Sequence, residues 1–134
     1  PFWYTHQQQI SALVRAAEND PSDLGFGVSV CDLAVCLIEQ RKVRLSSTKR
    51  SVLLSGVCHN LYDRRNDLKP DDLATLAETY RVLEKYEEVL KCMNLALVKR
   101  PNHPGALRLE KWFNETLSSP RGGALDDGKA SGYL

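Results

Sequence analysis

The sequence lacks any long uninterrupted apolar run and any excess of one charge. No stretch approaches the roughly 18 to 20 uncharged apolar residues that a membrane-spanning helix needs. Lys and Arg number 18 and Asp and Glu number 17, so the formal net charge is +1. Such a balance provides no broad electrostatic footprint for nucleic acid. We therefore expect no membrane span, and the overall charge argues against a nucleic-acid partner.

Signals for β-strands and for catalytic loops are also scarce. The sequence has no long alternation of β-branched residues, which a half-buried strand would show. It has no glycine-rich phosphate loop, no Ser-His-Asp order and no pair of inward carboxylates. We therefore expect an all-α protein that is not an enzyme, has no catalytic residues and needs no cofactor.

Cysteine is sparse, and its positions argue against a metal site or a disulfide framework. All four cysteines fall within apolar helical patterns: Cys31, Cys36, Cys58 and Cys92. Zinc ligands usually come in pairs two to four residues apart in loops, whereas Cys31 and Cys36 are five apart on a helix. Buried thiols in a reducing compartment are the simpler reading. We expect a cytoplasmic protein, with the nucleus or the cytosolic face of an organelle as alternatives.

The histidines do not suggest thiol catalysis. Cys58 and His59 are neighbours, and adjacent helical residues point about 100° apart. His103 stands between two prolines and is interpreted as a loop residue, and His6 lies near the start of the sequence.

Helical spacing of apolar residues recurs along most of the chain and predicts about six helices. The first is expected from about residue 5 to residue 18, ended by the Asn19-Asp20-Pro21 segment. Gly25 and Gly27 then predict a loop, although Ser22 or Asp23 could cap a helix there.

The next two helices differ in how apolar they are. Residues 28–38 are apolar around most of the helix, which predicts a central helix buried on several sides. A cap at Ser46, Ser47 or Thr48 is expected to begin the third helix. One face of that helix carries its apolar residues: Leu54, Val57, Cys58, Leu61 and Tyr62.

Prolines mark the last three helices. Pro70 is expected in a first turn, and Glu84-Lys85 breaks the apolar stripe that follows. Pro101 ends the fifth helix and Pro104 begins the sixth. After Ser118 small and flexible residues dominate. We therefore predict one helical domain over residues 1–117 and a flexible tail over residues 118–134.

Residues 70–103 resemble a tetratricopeptide repeat, a unit of about 34 residues that forms two antiparallel helices. The matching positions are Leu73, Leu76, Ala77, Tyr80, Tyr86, Ala96, Leu97 and Pro101. Val89 and Met93 depart from the pattern, which prefers alanine and an aromatic residue there. The helix after Pro104 resembles the solvating helix that closes such arrays, and no second good copy is present.

The resemblance implies a stack of antiparallel helices that acts as an adaptor or complex subunit. Such repeats bind a peptide or helix of a partner protein along a groove formed by their first helices. Transferred to this chain, the groove residues are Asp71, Ala74, Glu78 and Arg81, which share one helix face. In one branch of the family, lysines and asparagines bind a chaperone's terminal carboxylate. Ala74 offers no donor and Glu78 would repel that group, so we do not expect this ligand.

Two alternatives stay open. A secretion or assembly chaperone of the same helical build would shield an apolar segment of its partner, either as a hetero-oligomer or as a homo-oligomer. A nucleic-acid-binding helical domain would instead use the basic region of residues 41–50. That region contains Arg41, Lys42, Arg44, Lys49 and Arg50.

Overall fold

A computed structural model describes residues 2–117, with side chains for residues 5–116, and this part of the chain is all-helical without strands. The helices are α1 (Phe2–Asn19), α2 (Leu24–Glu39), α3 (Ser47–Asp63), α4 (Pro70–Val82), α5 (Tyr86–Lys99) and α6 (Pro104–Leu117). A short 3₁₀ turn, Arg65–Asp67, precedes α4. The predicted all-α class is confirmed. The predicted tail over residues 118–134 lies outside the described residues.

Local signals account for most helix starts. Ser46 is the N-cap of α3, and its hydroxyl accepts a hydrogen bond of 3.2 Å from the Lys49 N–H. Pro70 occupies the first turn of α4, where its missing N–H costs nothing, and two aspartates follow it near the positive helix end. α1 begins at Phe2, three residues earlier than the spacing predicts.

The predicted loop around Gly25 and Gly27 is wrong, because both glycines lie in the first turn of α2. The Asp23 carboxylate caps this helix by accepting a hydrogen bond of 3.1 Å from the Phe26 N–H. A Cβ on Gly27 would lie 3.4 Å from Leu61 of α3. The glycine therefore allows close packing of two helices rather than a turn.

α2 and α4 end in the same type of turn. In each, the second residue beyond the helix has a positive φ: 60° at Arg41 and 61° at Glu84. The following N–H groups close both turns, from Lys42 to the Leu37 carbonyl at 2.9 Å and from Lys85 to the Tyr80 carbonyl at 3.0 Å. Glycine usually occupies this left-handed position, and neither helix has one there.

The core forms around α2 and α4. α2 packs against α1, α3 and α4, and α4 packs against α2, α3, α5 and α6. The predicted central position of the second helix is therefore confirmed. The most deeply buried large side chains include Ile10, Leu54, Leu61, Leu73, Leu76, Val89, Met93 and Leu109.

Two polar contacts connect neighbouring helices. The Tyr80 hydroxyl of α4 donates to the Cys58 carbonyl of α3 at 3.2 Å. The Lys99 ammonium, at the end of α5, donates to the carbonyls of Asn66 and Leu68 at 2.8 and 2.7 Å, just before α4. The end of α5 therefore lies beside the beginning of α4.

Three of the four cysteines are buried, but Cys36 is exposed on α2. The expectation that all four thiols are buried is wrong at this position. Its apolar neighbours in sequence belong to other faces of the helix, and the Cys36 face remains open to solvent. Across the described helices, none combines the length and the apolar character needed to cross a bilayer.

Candidate functional site

Asp71, Ala74, Glu78 and Arg81 line one groove between α2, α4 and α6, with a volume of about 710 Å³. We call this the central groove. Helix α2 contributes Asp32, Val35, Cys36 and Glu39 to it, and the α5–α6 turn and α6 contribute Arg100, His103, Pro104, Gly105 and Arg108. The four residues that the sequence placed on one helix face therefore lie in a concave surface with walls from two other helices.

Contacts along the groove show that α4 and α6 run in the same direction. Asp71 in the first turn of α4 contacts His103, which immediately precedes α6. Arg81 near the end of α4 places its guanidinium 5.7 Å from the centre of the Trp112 ring, late in α6. Between these contacts a Cβ on Gly105 would lie 3.6 Å from the Ala74 Cβ.

Arg81 is held in place by carboxylates on both sides. Its Nε donates to Glu78 of the same helix at 2.8 Å, and its other end donates to Glu39 of α2. Burial lowers the pKa of Arg81, but the hydrogen bonds to Glu39 and Glu78 and the negative charges of both together raise it above its ordinary value. This group fixes α2 against α4. The side chains of Arg81 and Glu78 are therefore largely occupied by their ion pair and have few groups left to bind a ligand.

The interpretation of His103 as an ordinary loop residue is incomplete, because the residue is only 5% exposed. Its Nδ1 accepts a hydrogen bond of 3.1 Å from the Ala106 N–H, which caps α6. Its Nε2 donates to Asp71 at 2.5 Å, since the neutral ring with an accepting Nδ1 carries its proton on Nε2. His103 therefore positions α6 against the beginning of α4.

The sequence analysis missed the groove residues outside α4. Asp32, Cys36 and Glu39 come from α2 and Arg108 from α6. Only His103 had a local signal, because a polar residue before a proline at a helix start is a common N-cap. The α2 residues could be assigned only by knowing which helices pack together.

A second cavity of about 810 Å³ adjoins the central groove. Four arginines line it, Arg41, Arg44, Arg50 and Arg81, and we call it the arginine pocket. Glu39 and Arg81 line both cavities, so the two are adjacent.

Side chains from three parts of the chain form this pocket. Arg50 donates to the Leu45 carbonyl at 3.0 Å and to the Val82 carbonyl at 3.3 Å, at the end of α4. Tyr86 and Trp112 form an aromatic wall with ring centres 6.0 Å apart. The basic region of residues 41–50 is divided by this arrangement, because Lys49 does not line the pocket.

Comparison of the chain with protein families, with curated proteins and with solved structures gives no significant match. Within the described residues, no group of three or more His, Cys, Asp or Glu side chains is arranged to hold a metal ion.

Proposed function

We propose that the chain is a protein-interaction domain, an adaptor or complex subunit, that binds an extended segment or a helix of a partner protein in the central groove. The observation that carries this proposal is the position of Asp71, Ala74, Glu78 and Arg81 along one concave surface. That surface has the size and mixed polar and apolar lining of a recognition site.

The architecture that goes with this function is a stack of antiparallel hairpins similar to tetratricopeptide repeats. The contact of Lys99 with the carbonyls before α4 supports an antiparallel α4–α5 pair. Ala77 and Ala96, the small residues at which such a pair approaches closely, are 0% exposed. The common direction of α4 and α6 supports a groove made by alternate helices.

Cys36 allows a direct test, because it is the exposed thiol among four cysteines and it lines the groove. A partner is first identified by co-purification and mass spectrometry. Native protein is then labelled at Cys36 with a bulky maleimide, and its affinity for that partner is measured by calorimetry. We expect the label to lower the affinity at least about ten-fold, since it occupies the volume that the partner segment needs.

The matched control moves the same label to another surface. A Cys36→Ala, Val52→Cys variant carries the thiol on α3, where Val52 is 77% exposed. Labelling there is expected to leave the affinity unchanged. Full partner affinity after labelling at Cys36 would rule out the central groove as the binding site.

A further inference from the structure

The arginine pocket contains more positive charge than the surrounding protein neutralises. Four arginines and two glutamates, Glu39 and Glu84, line it. Arg81 pairs with Glu39 and also with Glu78, which lies outside the lining, so its charge is neutralised. Within residues 2–117, Arg41, Arg44 and Arg50 form no ion pair with a carboxylate.

Arg50 shows that this charge is built into the fold. It is half-buried, and its guanidinium is oriented by two carbonyl oxygens from the ends of different segments. A guanidinium has five N–H donors, so two carbonyl bonds leave donors available. A fixed arginine at a pocket wall loses little side-chain entropy when it binds an anion.

Two strained residues line the same pocket. Arg41 and Glu84 are the non-glycine residues with positive φ in the described chain, and both contribute to the lining. Glycine adopts this conformation with less strain, because it has no Cβ. Strained residues of this kind cluster at binding sites. There the side chain is retained because it contacts the ligand, although its backbone conformation is unfavourable.

We propose that the arginine pocket binds the phosphate of a phosphorylated side chain in the partner segment that occupies the central groove. The source of the phosphate rests on the proposed function, whereas the recognition of the anion rests on the pocket alone. A phosphate monoester carries about 1.5 to 2 negative charges near neutral pH and three strong acceptor oxygens, which suit the donors of Arg41, Arg44 and Arg50. A carboxylate carries a smaller charge and only two acceptor oxygens.

The cavity fits one anionic side chain better than a nucleic-acid backbone. Glu39 and Glu84 would repel a continuous row of phosphates, and Lys49 lies outside the lining. The aromatic wall of Tyr86 and Trp112 offers apolar area to the stem or ring that carries the phosphate. Because the pocket lies next to the central groove, we expect one partner segment to reach both cavities.

Trp112 makes binding directly measurable. The chain has two tryptophans, so a Trp3→Phe background leaves Trp112, in the pocket wall, as the fluorescent reporter. Phenyl phosphate is the probe, and phenylacetate is the comparison monoanion. We expect a saturable change in Trp112 fluorescence and a Kd for phenyl phosphate about ten-fold or more below that for phenylacetate.

The strained positions give variants whose stability and binding change in opposite directions. Arg41→Gly is expected to raise Tm by a few degrees and yet weaken phenyl phosphate binding about ten-fold. Glu84→Gly is expected to raise Tm as well but to strengthen binding, because it removes a carboxylate from the pocket. Arg15 lines a separate depression with Gln7, Gln8 and Ser11. Arg15→Ala is therefore the charge control, and it should change neither Tm nor phenyl phosphate affinity.

Each outcome decides the matter. Absence of a saturable signal, or equal effects of Arg41→Gly and Arg15→Ala, would overturn the proposal. So would tighter, steeply salt-dependent binding of a short DNA or RNA duplex, which would assign the pocket to nucleic acid. The maleimide label at Cys36 tests partner binding separately. If phenyl phosphate binds as expected but the label leaves the partner affinity unchanged, only the proposed function is refuted.

Discussion

The side chain of His103 combines two tasks, a cap for α6 and a contact with α4. We expect His103→Ala to lower the free energy of unfolding by about 1 to 2 kcal/mol, because the Ala106 N–H then loses its acceptor. His103→Asn should cost about half as much, since asparagine can still cap the helix. Urea denaturation of both variants measures the difference. An equal loss in both would mean that the cap contributes little.

Asp71, the partner of His103, makes the stability of the fold depend on pH in the acidic range. The hydrogen bond from His103 lowers the pKa of Asp71 below its ordinary value of 3.8. A lowered carboxyl pKa in the folded state stabilises the fold above the ordinary pKa, and this stabilisation is lost as the pH falls through the lowered pKa. The Asp71 carboxylate is exposed, so solvent and salt weaken the effect.

Asp71→Asn should therefore show a smaller loss of stability in acid than the parent protein. We expect the Tm difference between the two to shrink as the pH falls below about 3.8. Thermal unfolding across an acidic pH series measures it, and high salt should reduce the difference at every pH. A constant Tm difference across the series would exclude a contribution from Asp71 ionisation.

At the scale of elements, the α2–α3 contact depends on the small size of the residue at position 27, which is Gly27. A Cβ there would be in ordinary contact with Leu61 at 3.4 Å and Val57 at 3.6 Å. We expect Gly27→Ala to stabilise the protein by up to about 1 kcal/mol, because alanine favours the helix and fits the space. Gly27→Val should instead destabilise it by about 1 to 3 kcal/mol by forcing the helices apart.

Chemical denaturation of the two variants measures these effects. Gly25→Ala is the matched control, because it lies in the same turn and its Cβ would meet only the Asp23 carboxylate at 3.8 Å. It should be stabilising like Gly27→Ala. If Gly27→Val were also tolerated, the close approach of α2 and α3 would be disproved.

The helices were largely predictable because their signals are local. Pro70, Pro101 and Pro104 mark boundaries, and the apolar stripe of α4 identifies its buried face. The start of α2 was missed because a glycine pair is a loop signal in isolation. Its helical role depends on α3, which approaches Gly27 from a distant part of the chain.

The candidate site was predictable only in part for the same reason. The spacing of Asp71, Ala74, Glu78 and Arg81 fixes their common side of α4. The pairing of Arg81 with Glu39 depends on how α2 packs, and that is set by contacts between residues far apart in sequence. Likewise, the basic region predicted positive charge but gave no sign of the Tyr86–Trp112 wall.

For the whole molecule, the three buried thiols report whether the described helices unfold as one unit. Cys31, Cys58 and Cys92 lie on α2, α3 and α5 and are at most 1% exposed. Burial also raises the pKa of Cys92 to about 12. In the native protein we therefore expect a thiol reagent to modify one cysteine, Cys36, and all four in concentrated guanidinium chloride.

Reaction at Cys36 should itself be slow near neutral pH and faster as the pH rises. Loss of solvent around its thiol, with the charges of Asp32 and Glu39, raises the pKa of Cys36 above its ordinary value of 9.0. The reactive thiolate therefore becomes abundant only at alkaline pH. A Cys36→Ala variant removes this background and leaves the three buried thiols.

In that variant, labelling of each thiol requires an opening of the structure around it. If α2, α3 and α5 belong to one cooperative domain, the three labelling rates should increase with the same urea dependence, because each exposes the same surface. Peptide mapping by mass spectrometry resolves the three sites. A smaller urea dependence at Cys92 alone would show that α5 opens separately. The single domain predicted over residues 1–117 would then consist of at least two units that unfold independently.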